Sequence, residues 1–138
     1  GEVPFVYAVA SDHPLTLEES PVAEERISEW PAVVAADTSR QLPAGNAGIF
    51  TRQRTLTVSS MAHKVAAQKA GLGVGWLPRR QVETELANGD LVALEVAVRR
   101  QPLTLCMARR QGDEGKAINW FWEHLSEPGY FSDWLDPP

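Results

Sequence analysis

Small polar residues follow two of the predicted strands, and their types suit the binding of a small molecule. They are Asp37, Thr38 and Ser39 after one strand, and Ser59, Ser60 and Met61 after another, running directly into a predicted helix. Ligands of open α/β sheets bind beyond the carboxyl ends of strands and at helix N-termini. Hydroxyl and free backbone N–H groups there are suited to a small anionic molecule. Alternatively, these residues simply cap a helix and form a turn.

No set of residues in the sequence has the arrangement that catalysis requires. Ser11, Asp12 and His13 are the residue types of a hydrolase triad, but adjacent side chains of an extended segment point to opposite sides. Cys106 falls within a predicted strand, where a small core residue is expected rather than a nucleophile. The three histidines are far apart and have no second ligand at metal spacing. We therefore expect no enzyme activity, no metal and no cofactor.

The glycine-rich segment Gly71–Gly75 looks like a dinucleotide-binding loop but has the wrong surroundings. Such a loop follows a strand and opens a helix, so that the helix N-terminus faces the pyrophosphate. Here a predicted helix precedes the glycines, and the strand Val74–Leu77 follows them. The glycines are therefore expected to end a helix and to let the next strand pack closely.

The elements that must position these residues alternate between strands and helices. Apolar and β-branched runs predict strands at residues 3–9, 32–36, 49–58, 74–77, 91–94 and 103–108. Capping residues, helix-opening prolines and terminal glycines predict helices at about 21–29, 61–69, 78–87 and 116–125. This alternation predicts an α/β fold with three layers, in which a mostly parallel sheet is flanked by helices.

Composition excludes several classes of protein. The chain has 138 residues, a net charge of −5 and a pI near 5.2, which argue against nucleic-acid binding by this chain alone. The basic residues concentrate between residues 51 and 116. We expect them to lie on solvated helix faces; alternatively, they would bind anionic ligands. A single cysteine excludes a disulfide framework and fits a reducing compartment. No membrane span and no opening signal segment are expected.

Several segments together resemble one protein family. They are Phe5–Val9 with His13-Pro14-Leu15, Trp30–Val34, Val58–Met61, Ala70–Pro78 and Leu86–Val92. This succession is similar to the effector-binding domain of a LysR-type bacterial transcriptional regulator. The most specific parts are the sequence AGLGVGWLP at Ala70–Pro78 and the Gly-x-Leu-Val that follows it at Gly89–Val92.

The resemblance implies a periplasmic-binding-protein type II-like fold and a switch rather than a reaction. Residues 1–98 would be the second regulatory subdomain, and residues 99–138 a crossover strand and helix that complete the first. A small effector would bind in the cleft between subdomains, on this side against Asp37, Thr38, Ser39, Ser59, Ser60 and Met61. Binding would change DNA contact through a helix-turn-helix domain that is absent from this chain, in a cytoplasmic protein.

The sequence leaves two alternative functions open, and it also predicts self-association. A solute-binding protein of the same clamp architecture, or a small α/β enzyme, would also fit an α/β chain of this size. The crossover strand and last helix carry apolar side chains that would pack on elements of the first subdomain. These are Leu103, Leu105, Met107, Ile118, Trp120, Phe121 and Trp122. We therefore expect self-association, by exchange of the C-terminal segment between chains.

Overall fold

The computed structural model describes residues 1–36, 49–112, 115–127 and 129–131, and they divide into two compact units. The larger unit is Phe5–Gln101. The smaller unit combines Gly1–Pro4 with the described part of Pro102–Pro138. The subdomain division between residues 98 and 99 stays a prediction, because a compact unit does not by itself identify a subdomain of a family.

The secondary structure follows the predicted alternation. The strands are β1 (Glu2–Val3), β2 (Phe5–Ala10), β3 (Ala32–Ala35), β4 (Thr55–Val58), β5 (Gly75–Pro78), β6 (Leu91–Leu94) and β7 (Leu103–Thr104). The α-helices are α1 (Glu24–Ser28), α2 (Met61–Lys69), α3 (Glu83–Asn88) and α4 (Lys116–Leu125). Short 3₁₀ helices span Pro14–Leu17 and Arg79–Val82.

The larger unit is built on strands in the order β4-β3-β5-β2-β6. β3 runs parallel to β4, and it joins the other strands at Val74, whose N–H donates to Pro31 O at 2.9 Å. β2 pairs antiparallel with both β5 and β6. Four strands therefore share one direction and β2 runs against them. The α/β class and the mostly parallel direction are confirmed, with β2 as the exception that an alternating pattern cannot reveal.

The core lies on both faces of the sheet because successive side chains of β2 point to opposite sides. Tyr7 and Val9 belong to one buried cluster, and Val6 and Ala8 belong to the other. The first cluster also contains Leu15, Val22, Ile27, Phe50, Val74, Trp76 and Val96. The second contains Leu77, Val82 and Leu91, with Met61, Val65 and Leu86 packed against it. Helices α2 and α3 cover the second face.

The first helix begins later than its proline predicts. Pro21 was expected at the first helical position, but α1 begins at Glu24. Val22 instead forms a parallel bridge with Val96, and its N–H donates to Glu95 O at 2.8 Å. Burial of Val22 against a distant segment therefore outweighs the local capping signal.

The long strand predicted at 49–58 is reduced to β4 because its first part is a turn around Gln53. Gln53 is buried, and its side-chain oxygen accepts a hydrogen bond from the Phe50 N–H at 3.1 Å. Its amide nitrogen donates to Trp30 O at 3.0 Å. This side chain satisfies backbone groups that a continuous strand would have paired in a ladder.

In the rest of the chain the predicted helices and strands are present, but some of them are shorter than predicted. Helix α4 has the predicted bounds, whereas the region after Pro78 forms a 3₁₀ turn before α3. Gly89 ends α3 in the left-handed conformation at φ 76°. The strand expected at 103–108 has only two residues, in β7. Cys106 therefore lies beyond the strand and is exposed, so its expected place in a core is wrong.

The smaller unit holds β1, β7 and α4. β1 and β7 pair antiparallel, with Glu2 opposite Thr104. The apolar residues of this unit are largely exposed: Trp120 and Phe121 are 52% and 56% accessible, and Leu103, Leu105, Met107 and Ile118 are also exposed. Trp122 is half-buried, with the Arg109 guanidinium 4.8 Å from its ring centre. Within the described residues, no helix is both long and apolar enough to span a membrane.

Candidate functional site

The predicted binding edge lies where β3 and β4 end side by side. The Ala36 N–H donates to Val58 O at 2.7 Å, so these two residues are neighbours at the carboxyl edge of the parallel pair. Ser59 follows Val58 directly and leads into α2. Asp37, Thr38 and Ser39, which follow Ala36, lie outside the described residues.

Ser60 begins α2 as its N-cap. Its backbone is extended, and its hydroxyl accepts a hydrogen bond from the His63 N–H at 3.2 Å. This bond satisfies one of the donors that a helix N-terminus leaves without a partner. The capping role that the sequence left as an alternative is therefore present, and it uses the Ser60 hydroxyl oxygen as an acceptor while leaving its O–H able to donate.

Ser59 and Met61 differ in what they present at this edge. Ser59 is exposed, and its Oγ is hydrogen-bonded to His63 Nδ1 at 2.9 Å. Met61 is half-buried and packs against the apolar cluster that includes Val6 and Leu77. The edge therefore offers a hydroxyl–imidazole pair in solvent beside a partly covered thioether.

Lys64 and Gln68 are buried on α2 and were not among the candidate residues found from the sequence. Lys64 is 5% accessible and Gln68 is fully buried. Burial, with a smaller contribution from the positive charge of Arg100, lowers the pKa of Lys64 from 10.5 to about 8. A signal for Lys64 was available, because it lies three residues after Met61 and next to Val65, on the side of the helix that faces the core.

Arg100 is the nearby cation that acts on Lys64. Its guanidinium lies 4.1 Å from the ring centre of Phe5, at the start of β2. Burial lowers the pKa of Arg100. Two partly desolvated cations therefore lie close enough for the charge of Arg100 to act on Lys64.

The candidate triad residue His13 is a structural side chain. It is 4% accessible, its Nδ1 accepts a hydrogen bond from the Leu15 N–H at 3.2 Å, and its ring packs edge-on against Trp30. Burial lowers the pKa of His13, and the negative charge of Asp12 partly opposes this. Because Nδ1 accepts this hydrogen bond, Nε2 carries the proton of the neutral ring and cannot take one from a serine hydroxyl.

Metal coordination has no support in the part of the chain that is described. No group of three or more His, Cys, Asp or Glu side chains there could hold a metal ion.

Comparison with known proteins gives the family. Residues 1–128 match the family model of the LysR substrate binding domain. The chain is 30% identical over its whole length to the HTH-type transcriptional regulator PunR of Escherichia coli K12, of which it covers 45%. It is 33% identical, over 83% of its length, to the probable HTH-type transcriptional regulator YhaJ of the same strain, of which it covers 38%.

A solved structure supports the fold. The effector-binding domain of QuiR in complex with shikimate aligns with 73% of this chain and 48% of its own chain, at a TM-score of 0.53 and 19% identity. The protein is a substrate-binding domain, and it belongs to the LysR family of transcriptional regulators. It spans less than half the length of the curated relatives that it matches.

Proposed function

We propose that the chain senses a small effector for a LysR-type regulator and that the effector binds at the carboxyl edge of β3 and β4. Ser59, Ser60 and Met61 are the described residues of this site, and Asp37, Thr38 and Ser39 complete it. The observation that carries the proposal is the Ala36–Val58 hydrogen bond, because it joins the two segments that precede these residues.

The local chemistry supports a polar ligand. The exposed Ser59 hydroxyl and the N-terminus of α2 lie at the same edge. A helix N-terminus carries partial positive charge and unpaired N–H groups, which favour a negatively charged or strongly polar ligand. Met61 supplies an adaptable apolar contact beside them.

The response of the intact protein is a change in DNA contact. A ligand shifts a two-state equilibrium only by its differential affinity for the two states. The effector would therefore favour one arrangement of residues 1–98 and 99–138 in a cytoplasmic oligomer, and a helix-turn-helix outside this chain would contact DNA. Relatives named as transcriptional regulators support this function over an enzyme or a transport protein.

The experiment is a ligand screen followed by one substitution and its control. Shikimate, the QuiR ligand, and a panel of small carboxylic acids, sugars and purines are tested by thermal shift and calorimetry on the 138-residue chain. We expect Ser59→Ala to weaken binding of any hit about 10-fold, as loss of a hydrogen bond to a charged group does. Ser11→Ala is the matched control, because Ser11 directly follows β2. This strand runs antiparallel to the others and so ends at the opposite edge of the sheet. Equal affinities in the two variants would refute the proposed site.

A further inference from the structure

Helix α2 carries two buried polar side chains one turn apart. Lys64 is 5% accessible and Gln68 is 0% accessible, and residues four apart lie on the same face of a helix. Met61 and Val65, on the adjacent side of α2, pack on the apolar cluster that includes Val6 and Leu77. The buried side of α2 is therefore half apolar and half polar.

The polar pair converges over Gly75 at the start of β5. A methyl group at Gly75 would lie 3.1 Å from Gln68 Nε2 and 3.8 Å from Lys64 Cε. Gly75 has φ +154°, which other residues rarely adopt. The glycine thus leaves room for both side chains above the sheet.

Among the described residues, the Gln68 amide has no hydrogen-bond partner and Lys64 is in no ion pair. The ion pairs between described residues join Arg26 with Glu18 and Glu29, and Lys69 with Glu85 and Asp90, so that none includes Lys64. Both polar atoms of the Gln68 amide are buried and accept or donate no hydrogen bond. A buried amide without a hydrogen bond, beside a 5% accessible lysine without an ion pair, costs free energy, so this pair on the core face points to a ligand.

We propose that Lys64 and Gln68 form a subsite for a carboxylate group of the effector, with the ammonium neutralising the charge and the amide N–H donating a hydrogen bond. This subsite rests on the proposed function, since it names the chemistry of that ligand. One ammonium and one amide match a monoanion. A phosphate dianion would call for more cationic donors.

The position of Lys64 connects this subsite to the predicted edge. The Lys64 N–H donates to Ser60 O at 3.0 Å, which places Lys64 one turn into α2. Helix side chains tilt towards the helix N-terminus. The Cα–Cβ bond of Lys64 therefore tilts towards the first turn of α2, and in this proposal an effector at the edge would reach the ammonium with one carboxylate.

Lysine-specific NMR tests the subsite directly because the chain has three lysines, Lys64, Lys69 and Lys116. The protein is labelled with ¹³C at lysine Cε, and the signals are assigned with Lys→Arg variants. Sodium acetate is the probe, acetamide is its neutral match, and inorganic phosphate is the third ligand. We expect acetate to shift the Lys64 signal and to raise its titration midpoint by at least one pH unit. The signals of Lys69 and Lys116 should change only with ionic strength.

The variants separate the subsite from the rest of the proposed function. Lys64→Met should weaken binding of a carboxylate hit from the ligand screen at least 10-fold, whereas Lys69→Met on the same helix should leave its affinity unchanged. Equal effects of acetate and acetamide, or no effect of either, would overturn the subsite. A response to phosphate without one to acetate would overturn the carboxylate assignment. If Ser59→Ala weakens a hit that Lys64→Met leaves unaffected, the subsite is wrong and the effector site at the edge stands.

Discussion

Replacing Lys64 by methionine should make the ligand-free chain more stable. Lys64 is 5% accessible, and none of the ion pairs between described residues includes it. Methionine has a similar length and no charge, so it fills the same space without the cost of a buried ammonium. We therefore expect Lys64→Met to stabilise the ligand-free chain and to weaken ligand binding.

The size of the effect follows from the pKa of Lys64. Burial and the charge of Arg100 lower this pKa from 10.5 to about 8. At about 1.4 kcal/mol per pH unit, this difference makes the protonated side chain about 3 kcal/mol less favourable in the folded chain at neutral pH. Local relaxation reduces that figure, so we expect Lys64→Met to raise the free energy of unfolding by about 2–3 kcal/mol at pH 7.

The pH dependence of the difference has a defined sign. Below pH 8 Lys64 is protonated in both states, and the folded chain bears the whole cost of the buried charge. Between pH 8 and 10.5 the folded chain loses this proton before the unfolded chain does, so the wild-type gains stability as the pH rises. The advantage of Lys64→Met should therefore shrink over that interval and vanish above it.

Urea unfolding followed by circular dichroism, at pH 7 and at intervals to pH 10.5, measures this difference. Lys69→Met is the control, because Lys69 is on the same helix but partly exposed, and it pairs with Asp90 at 2.8 Å. Its substitution should change the stability much less than Lys64→Met does, because exposed ion pairs contribute little. If Lys64→Met were less stable than the wild-type at pH 7, the ammonium would have a stabilising partner within the fold. That outcome would refute both the magnitude and the anion subsite.

Four further predictions test other parts of the structure. Gln53→Leu should lower the free energy of unfolding by about 2–3 kcal/mol in urea, because it leaves buried backbone groups unpaired; a loss below about 0.5 kcal/mol would contradict this. Because burial lowers the pKa of His13, the unfolded chain takes up its proton first, so stability should fall as the pH drops below 6.5. His13→Asn should flatten that decline in urea unfolding, and an unchanged slope would disprove it. The exposed Trp120 and Phe121 should drive self-association that Trp120→Gln with Phe121→Gln reduces, measured as mass by light scattering; a monomer at all concentrations would contradict this. This acidic chain should show no sequence-specific shift of duplex DNA at physiological salt, and such a shift would overturn the sensing function.

Local signals predicted α2 from its cap and α4 from its apolar spacing. Ser60 caps α2 as predicted, and α2 ends at Lys69 shortly before Gly71, which has φ +69°. Helix α4 also has the predicted bounds. In each case the information lies within a few residues of the element, so the sequence pattern is sufficient.

Features that depend on distant residues were predicted poorly. Val22 leaves the expected first helix because Val96 pairs with it, and no local pattern records that pairing. The direction of β2 is likewise set by its neighbours β5 and β6. Tertiary contacts of this kind override propensity, which is a weak preference on its own.

The strand edge proposed as the effector site could be located from the sequence, whereas the proposed subsite at Lys64 could not. Strand ends followed by Ser59 and by Asp37 could be found because ligand sites in α/β sheets follow a geometric rule. Lys64 was missed because a charged residue in a helix is usually solvated, and its burial becomes evident when α2 is placed against Gly75.

Amide chemical-shift mapping tests the central claim most directly. The ¹⁵N-labelled 138-residue chain is titrated with the tightest ligand from the screen, and the perturbed amides are located on the fold. We expect the largest changes at Ala36 and from Ser59 to Lys64, with α1 and α3 little affected. Changes centred on α1 or α3, with the edge of β3 and β4 unperturbed, would contradict the proposed effector site.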